Sequence, residues 1–281
     1  MQIAGDGWIG RVAVLALMTI LDEIIQHKKE EVAKARKERP LSDLFAQAKE
    51  MGTARPFAAV LKASSDVAII AEVKKASPSA GLIREDFNHA EIAKDYQAGG
   101  ATAISVLTDE YYFQGHLSFL RDVRNSVDLP LLRKDFTIDP YQILEAKVNG
   151  ADAILLIVSA LSKDHCLELA SAAREFRVDF LVEVHDVKEL EFVLEEGFAL
   201  IGINNRDLKS FSVDLATTEK LSEIIPAGVT AVGESGIKSR EDIERLSRAH
   251  IDAVLIGETF MRQTNIEAAV SEFCGIKKCL R

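Results

Sequence analysis

Eight short apolar runs punctuate the chain, at about 67–73, 103–108, 130–134, 153–158, 179–184, 200–204, 229–233 and 252–257. Each is nearly continuous rather than alternating, the pattern of strands buried on both faces of a parallel sheet. Between them, apolar positions recur at helical spacing, and several stretches open on a cap. Thr19 with Asp22, Asn88 with Glu91, and Asp186 with Glu189 have the spacing of capping boxes. Asp139-Pro140 puts a cap ahead of a proline at the first helical position, and Ser239 with Asp242 marks another start. A phrase recurs where helix gives way to strand: Gly100-Ala-Thr-Ala-Ile-Ser-Val, Gly150-Ala-Asp-Ala-Ile-Leu-Leu, Gly197-Phe-Ala-Leu-Ile-Gly-Ile and His250-Ile-Asp-Ala-Val-Leu-Ile. In three of the four, glycine supplies a left-handed C-cap.

Runs spaced by roughly 20 to 36 residues fit right-handed βαβ units, and eight of them close into an α/β fold of the (β/α)8 TIM-barrel type. An open doubly wound sheet is the alternative, but no GxGxxG follows the first strand. Residues 18–65 precede the barrel as an extra N-terminal helical segment of one or two helices, with Ile20, Leu21, Ile24, Ile25 and Val32 at helical spacing. No Pro/Gly/Ser-rich linker divides the chain, so 18–281 reads as a single domain. Residues 1–17 differ in texture and read as an extension outside the fold. The apolar stretch from Trp8 to Leu21 has 14 residues, short of the ~20 that span a bilayer. Asp6 stands where a secretory signal carries positive charge.

Charge narrows the partners. Among 281 residues, 34 Lys+Arg stand against 44 Asp+Glu, a net −10, which argues against a nucleic-acid partner; positive charge for an anionic ligand must be local. Three cysteines, Cys166, Cys274 and Cys279, an odd number in so long a chain, read as reduced thiols of a cytoplasmic protein, and no CxxC suggests a zinc site. The six histidines share no metal-ligand spacing; His185 reads as a loop or helix-start residue.

In such a barrel the chemistry sits at the C-terminal ends of the strands. Those ends carry Glu72 and Lys74 on the first, Lys134 on the third, Glu183 on the fifth, Asn204-Asn205-Arg206 on the sixth, Glu234-Ser235-Gly236 on the seventh and Gly257-Glu258 on the eighth. Alternation points Glu72 and Lys74 the same way. Buried charges are costly unless paired, so the Lys, Glu and Asn side chains of five of these strands, Glu72, Lys134, Glu183, Asn204 and Glu234, read as one basin. Gly236 and Gly257, after the last two strands, suit backbone binding of a phosphate, and Ser77 adds a hydroxyl near Lys74.

These residues resemble a known family. Glu72-Val-Lys-Lys-Ala-Ser-Pro-Ser79, Leu132-Arg-Lys-Asp-Phe-Thr-Ile-Asp-Pro-Tyr141, Leu181-Val-Glu-Val-His185, Ile201-Gly-Ile-Asn-Asn-Arg-Asp-Leu208 and Gly233-Glu-Ser-Gly-Ile237 are similar, in order, to the signatures of indole-3-glycerol phosphate synthases. The likeness runs from about Met18 to Arg262. Ala80 stands where a lysine is frequent, Asn88-His89 for Asp-Pro, Gly233 for a small hydroxyl residue and Glu258 where some members have serine.

The resemblance implies a carboxy-lyase of tryptophan biosynthesis. Its substrate, 1-(2-carboxyphenylamino)-1-deoxyribulose 5-phosphate, closes a ring and loses carbon dioxide and water. No metal or organic cofactor is implied, the only partner is this phosphosugar-anthranilate, and no membrane is involved; a monomer or weak homodimer is expected. Lys134 would be the acid for closure, its pKa brought towards neutrality by low polarity or a neighbouring cation. Lys74 would face the substrate's anions and give a second proton. Glu183 would be the acid/base for water loss, Glu72 would orient the lysines, Asn204 would hold a hydroxyl, and Glu234 would complete the catalytic floor. Ser77, Arg206, Ser235, Gly236 and Gly257 would bind substrate, and Phe113 and Phe136 would wall its ring. A Schiff-base lyase, a phosphoribosyl isomerase and a non-catalytic metabolite binder are the competing readings.

Overall fold

The computed structural model describes residues 19–208 and 210–279, so the segment 1–17 and its junction at Met18 lie outside the described residues. Eight parallel strands form a closed barrel: β1 (Ala68–Val73), β2 (Ala103–Leu107), β3 (Leu131–Lys134), β4 (Ala153–Ile157), β5 (Asp179–Val184), β6 (Leu200–Asn204), β7 (Thr230–Glu234) and β8 (Ala253–Ile256). Each strand pairs with its neighbours in sequence, and β1 pairs with β8 to close the ring. The eight apolar runs are these strands, and the open-sheet alternative is excluded.

Among the described residues, three helices precede the barrel where one or two were expected over 18–65: α1 (Ile20–Glu38), α2 (Leu41–Glu50) and α3 (Phe57–Ala63). α3 follows Pro56 and is only 7 residues long. Its Phe57 and Leu61 are wholly buried among inward strand residues such as Ile70, Leu132 and Leu181, so it stoppers the N-terminal mouth. Asp152 and Asp179, at the starts of β4 and β5, accept the Arg55 and Ala58 amides and fix it there. A two-residue hairpin, Ala76–Ser77 against Gly81–Leu82, after β1 was not signalled by the pattern.

The caps divide. Thr19/Asp22 and Ser239/Asp242 form reciprocal capping boxes, and Asp139 caps a helix with proline in its first turn. Asn88 and Asp186 cap one way only. Glu91 instead pairs with Lys94, and Glu189 reaches one residue further back, to the His185 amide at 2.7 Å. Gly100, Gly150 and Gly197 take φ of 96°, 93° and 71°, and His250 adopts φ 61° at the fourth helix-to-strand join.

Strand alternation sorts the core into two shells. Outward residues such as Ile69, Val182, Ile201 and Val254 pack under the helices. Inward ones such as Ile70, Leu132, Leu155, Leu181, Val232 and Leu255 fill the barrel. The next inward step on five strands is not apolar: Glu72, Lys134, Glu183, Asn204 and Glu234 lie above that plug. No described helix is long and apolar enough to cross a membrane.

Candidate active site

A cavity of about 820 Å³ opens at the C-terminal end of the barrel. Every residue singled out from sequence lines it: Lys134, Lys74, Glu183, Glu72, Asn204 and Glu234, with Ser77, Phe113, Phe136, Arg206, Ser235, Gly236 and Gly257. The pleat supplies the convergence, because two residues along a parallel strand return the side chain to the same face.

Lys134 is the hub. Its Nζ donates to Glu183 Oε2 at 2.7 Å and to Glu234 Oε2 at 3.0 Å. Asn204 Nδ2 donates to Glu183 Oε1 at 3.1 Å. A second pair, Lys74 Nζ with Glu72 Oε2 at 2.8 Å, sits at the end of β1, beside Gly257. The surroundings of Lys134 differ from those expected. Burial would lower its pKa, but Glu183, Glu234 and Glu72 outweigh burial and raise it, so the side chain is a firmly held ammonium. Burial would raise Glu183, yet Lys134 and His185 hold it well below the usual carboxylate range. Glu234 goes the other way. Burial and the nearby Glu183 outweigh Lys134 and push it up to about 7. Its Oε1 is buried and has no hydrogen-bond partner among the described residues.

Two inward glycines make room for these carboxylates. A Cβ on Gly202 would stand 2.0 Å from Glu234 Oε1, and one on Gly257 would stand 2.2 Å from Glu72 Oε2. Gly257 therefore has a steric duty that its place after β8 did not reveal. A Cβ on Gly236, at φ 82°, would meet Val213 Cγ1 at 2.3 Å, so the loop after β6 lies against that glycine. Arg206 lines the cavity and also braces this loop, its Nη1 donating to the Phe211 carbonyl at 3.2 Å. Ser77 Oγ accepts from the Ala80 amide at 3.2 Å. Phe113 and Phe136 face each other with ring centroids 6.1 Å apart. Glu258 pairs with Arg262 at 2.7 Å at the rim.

The sequence reading missed three contributors. Ile20, Leu21 and Ile24 of α1 roof the cavity, and Phe211 and Val213 wall it. His185 is at the start of a helix, as read, but its Nε2 also lies 3.3 Å from Glu183 Oε1. The motif Glu183-Val-His185 was the available signal, since residues two apart share a face. No sequence signal ties α1 to the cavity.

The fold and the basin define a (β/α)8-barrel enzyme with paired lysines and carboxylates at its catalytic end. The family model for indole-3-glycerol phosphate synthase matches residues 21–273. An indole-3-glycerol phosphate synthase of Rhodopirellula baltica is 48% identical over 252 residues, covering 90% of this chain and 97% of that protein. One from Thermoanaerobacter pseudethanolicus is 47% identical over 254 residues, with 90% and 96% covered. A thiamine phosphate pyrophosphorylase from Pyrococcus furiosus shares the fold alone, at 14% identity and a TM-score of 0.57 over 74% of this chain and 94% of that one. The chain belongs to the indole-3-glycerol phosphate synthase family.

Proposed function

We propose that this chain converts 1-(2-carboxyphenylamino)-1-deoxyribulose 5-phosphate to indole-3-glycerol phosphate, the carboxy-lyase step of tryptophan biosynthesis. The observation that carries the residue roles is Lys134, held as an ammonium between Glu183 and Glu234 on the inner barrel face. Attack of the carboxylate-bearing ring carbon on the ketone builds charge on the carbonyl oxygen. Lys134 donates to that oxygen; a forming alkoxide is basic enough to take a proton even from a lysine of raised pKa. Glu234, poised near neutrality and 3.0 Å away, restores the proton. Carbon dioxide then leaves and the ring regains aromaticity.

Loss of water needs a proton at the departing hydroxyl and a base for the proton released. Lys74 supplies the first and Glu183 takes the second, while Asn204 steadies the hydroxyl. Glu72 orients Lys74 through their 2.8 Å pair. Ser77, Ser235, Gly236 and Gly257 hold the phosphate end with Arg206, and Phe113 and Phe136 flank the aromatic ring. An apolar wall beside the carboxylate favours its departure as neutral carbon dioxide. The reading calls for no metal and no organic cofactor. It gives a monomer or weak homodimer in the cytoplasm with no nucleic-acid partner, and residues 1–17 as an extension.

The direct test adds this substrate to the purified chain and follows the rise in indole absorbance and fluorescence. A Schiff-base mechanism requires a neutral amine, and the carboxylates around Lys134 oppose one. Borohydride added during turnover is expected to trap no adduct. Absence of indole product, or a trapped adduct on Lys134, overturns the reading.

A further inference from the structure

Lys28 lies in the middle of the buried stripe of α1, between Ile24 and Val32, where an aliphatic side chain would be the ordinary occupant. It is 0% exposed. Its Nζ stands 2.8 Å from Glu31 Oε2, 3.0 Å from Asp109 Oδ2 and 2.8 Å from Asp135 Oδ1. Asp109 follows β2 and Asp135 follows β3, and both side chains are buried. The contacts are close ion pairs rather than aligned hydrogen bonds. Burial opposes the charge, but Asp135, Asp109 and Glu31 together keep the ammonium protonated.

Stability alone does not explain such a group. A buried ion pair is commonly no better than well-packed apolar residues of the same volume, and its best-attested use is to fix register. An apolar stripe can pack at neighbouring heights along its groove. An ammonium that must meet both Asp109 and Asp135 fits at one height only. That height places Ile20, Leu21 and Ile24, one to two turns before Lys28, over the catalytic cavity.

Asp135 carries the constraint to the strand. Its Oδ2 accepts from the Thr108 hydroxyl at 2.5 Å and from Arg133 at 3.1 Å, and its Oδ1 accepts from the Phe136 amide at 2.8 Å. Lys134 sits between Arg133 and Asp135. The outward residues of this strand end are thus braced by Lys28 while the inward one enters the site.

We propose that Lys28 is a positioning residue: its ammonium locks α1 to the ends of β2 and β3, setting both the apolar roof of the cavity and the aim of Lys134. The inference rests on the reading of Lys134 given above. The charged groups facing Lys28 are Glu31 on its own helix, Asp109 and Asp135, with Arg133 beyond Asp135.

The test uses the full chain and three variants: Lys28→Met, Lys28→Met with Asp109→Asn, and Lys28→Arg. The double variant removes one of the carboxylates stranded by the first and keeps the test available if Lys28→Met does not fold. Lys28→Arg keeps the charge and moves it. Thermal unfolding, kcat, KM for the carboxyphenylamino substrate and inhibition by inorganic phosphate are measured well below each melting midpoint. A displacement of about 1 Å can cost ~10²-fold in rate, so each folded Met variant is expected to lose about tenfold or more in kcat with KM raised. Lys28→Arg should fall between these and the parent. Phosphate inhibition should stay within about twofold, because Gly236 and Gly257 follow β7 and β8, away from the α1 contact. Parent-like kcat and KM in any folded variant overturn the proposal, as does equal loss of all three constants, which is general loosening. No indole product from the parent chain overturns the functional reading instead.

Discussion

His185 Nε2 lies 3.3 Å from Glu183 Oε1, while Nδ1 on the other side of the ring faces Glu189 Oε2 at 3.3 Å. Burial would favour the neutral imidazole, but the close carboxylates of Glu183 and Glu189 win and push its pKa up to about 10. Glu189 is free for this because it bypasses the Asp186 amide. Charges therefore alternate along Glu189, His185, Glu183, Lys134 and Glu234, from the rim to the centre.

His185→Gln should fold and shift the acid limb of the kcat/KM profile to higher pH, because Glu183 loses one of the two cations that hold it down. An acid limb at its parental position would show that the histidine does not act on Glu183. Stability gives an independent check. A histidine raised from 6.5 to about 10 contributes stability that is fully present below 6.5 and is lost as pH rises towards 10. The stability gap between parent and variant should close across that window.

Lys134→Met should lower kcat by ~10²-fold or more, the usual scale for a general acid, with a much smaller change in KM. Burst-free steady-state kinetics on a variant with native circular dichroism will show this, and near-normal kcat would move the acid role to Lys74. Among the described residues, the variant leaves Glu234 with no cation beside it and Glu183 with His185 alone. Breaking one side of a buried pair costs about 3–5 kcal/mol, so its stability should also fall more steeply with rising pH than the parent's.

Gly202→Ala should spare the barrel and damage the chemistry. The added methyl carbon would stand 2.0 Å from Glu234 Oε1, so the carboxylate has to leave its place beside Lys134. A loss of about tenfold or more in kcat is expected from such a displacement. Unchanged turnover in the folded variant would mean that the position of Glu234 is unimportant.

Glu234→Gln separates the proton on that residue from the rest of the site. The folded state holds the carboxyl at about 7 against an ordinary 4.5, so it binds more protons than the unfolded chain between those values. The contribution to stability is complete below 4.5 and disappears as pH rises to about 7. Urea unfolding of parent and variant across this range should show the parent losing ground to Gln with rising pH. A constant difference would remove Glu234 as the proton reserve.

The barrel was legible because its strands are buried on both faces, which writes them as uninterrupted apolar runs. The site was legible because alternation carries Glu72, Lys134, Glu183, Asn204 and Glu234 inward from strand ends that chain order alone puts together. Helix α3 was not, because a seven-residue stopper surrounded by strand residues shows no polar face to set its period. Lys28 was hidden for the opposite reason. In a helix that also carries Lys29, Glu30, Glu31 and Lys34, one more charge reads as solvent-facing, and its partners lie 81 and 107 residues away. The electrostatic setting of Lys134 was misread because one strand cannot show which charges its neighbours aim at the same point.

The notches at Gly202 and Gly257 bear on how this site can change over evolutionary time. A side chain on one strand and a carboxylate on its neighbour compete for the same space, so neither position can be exchanged alone. Among barrels of this lineage, residue 202 should vary together with 234, and residue 257 with 72. A catalytic end assembled this way is inherited in adjoining strand pairs, and grafting a single strand into a foreign barrel would carry over a carboxylate without the hollow that receives it.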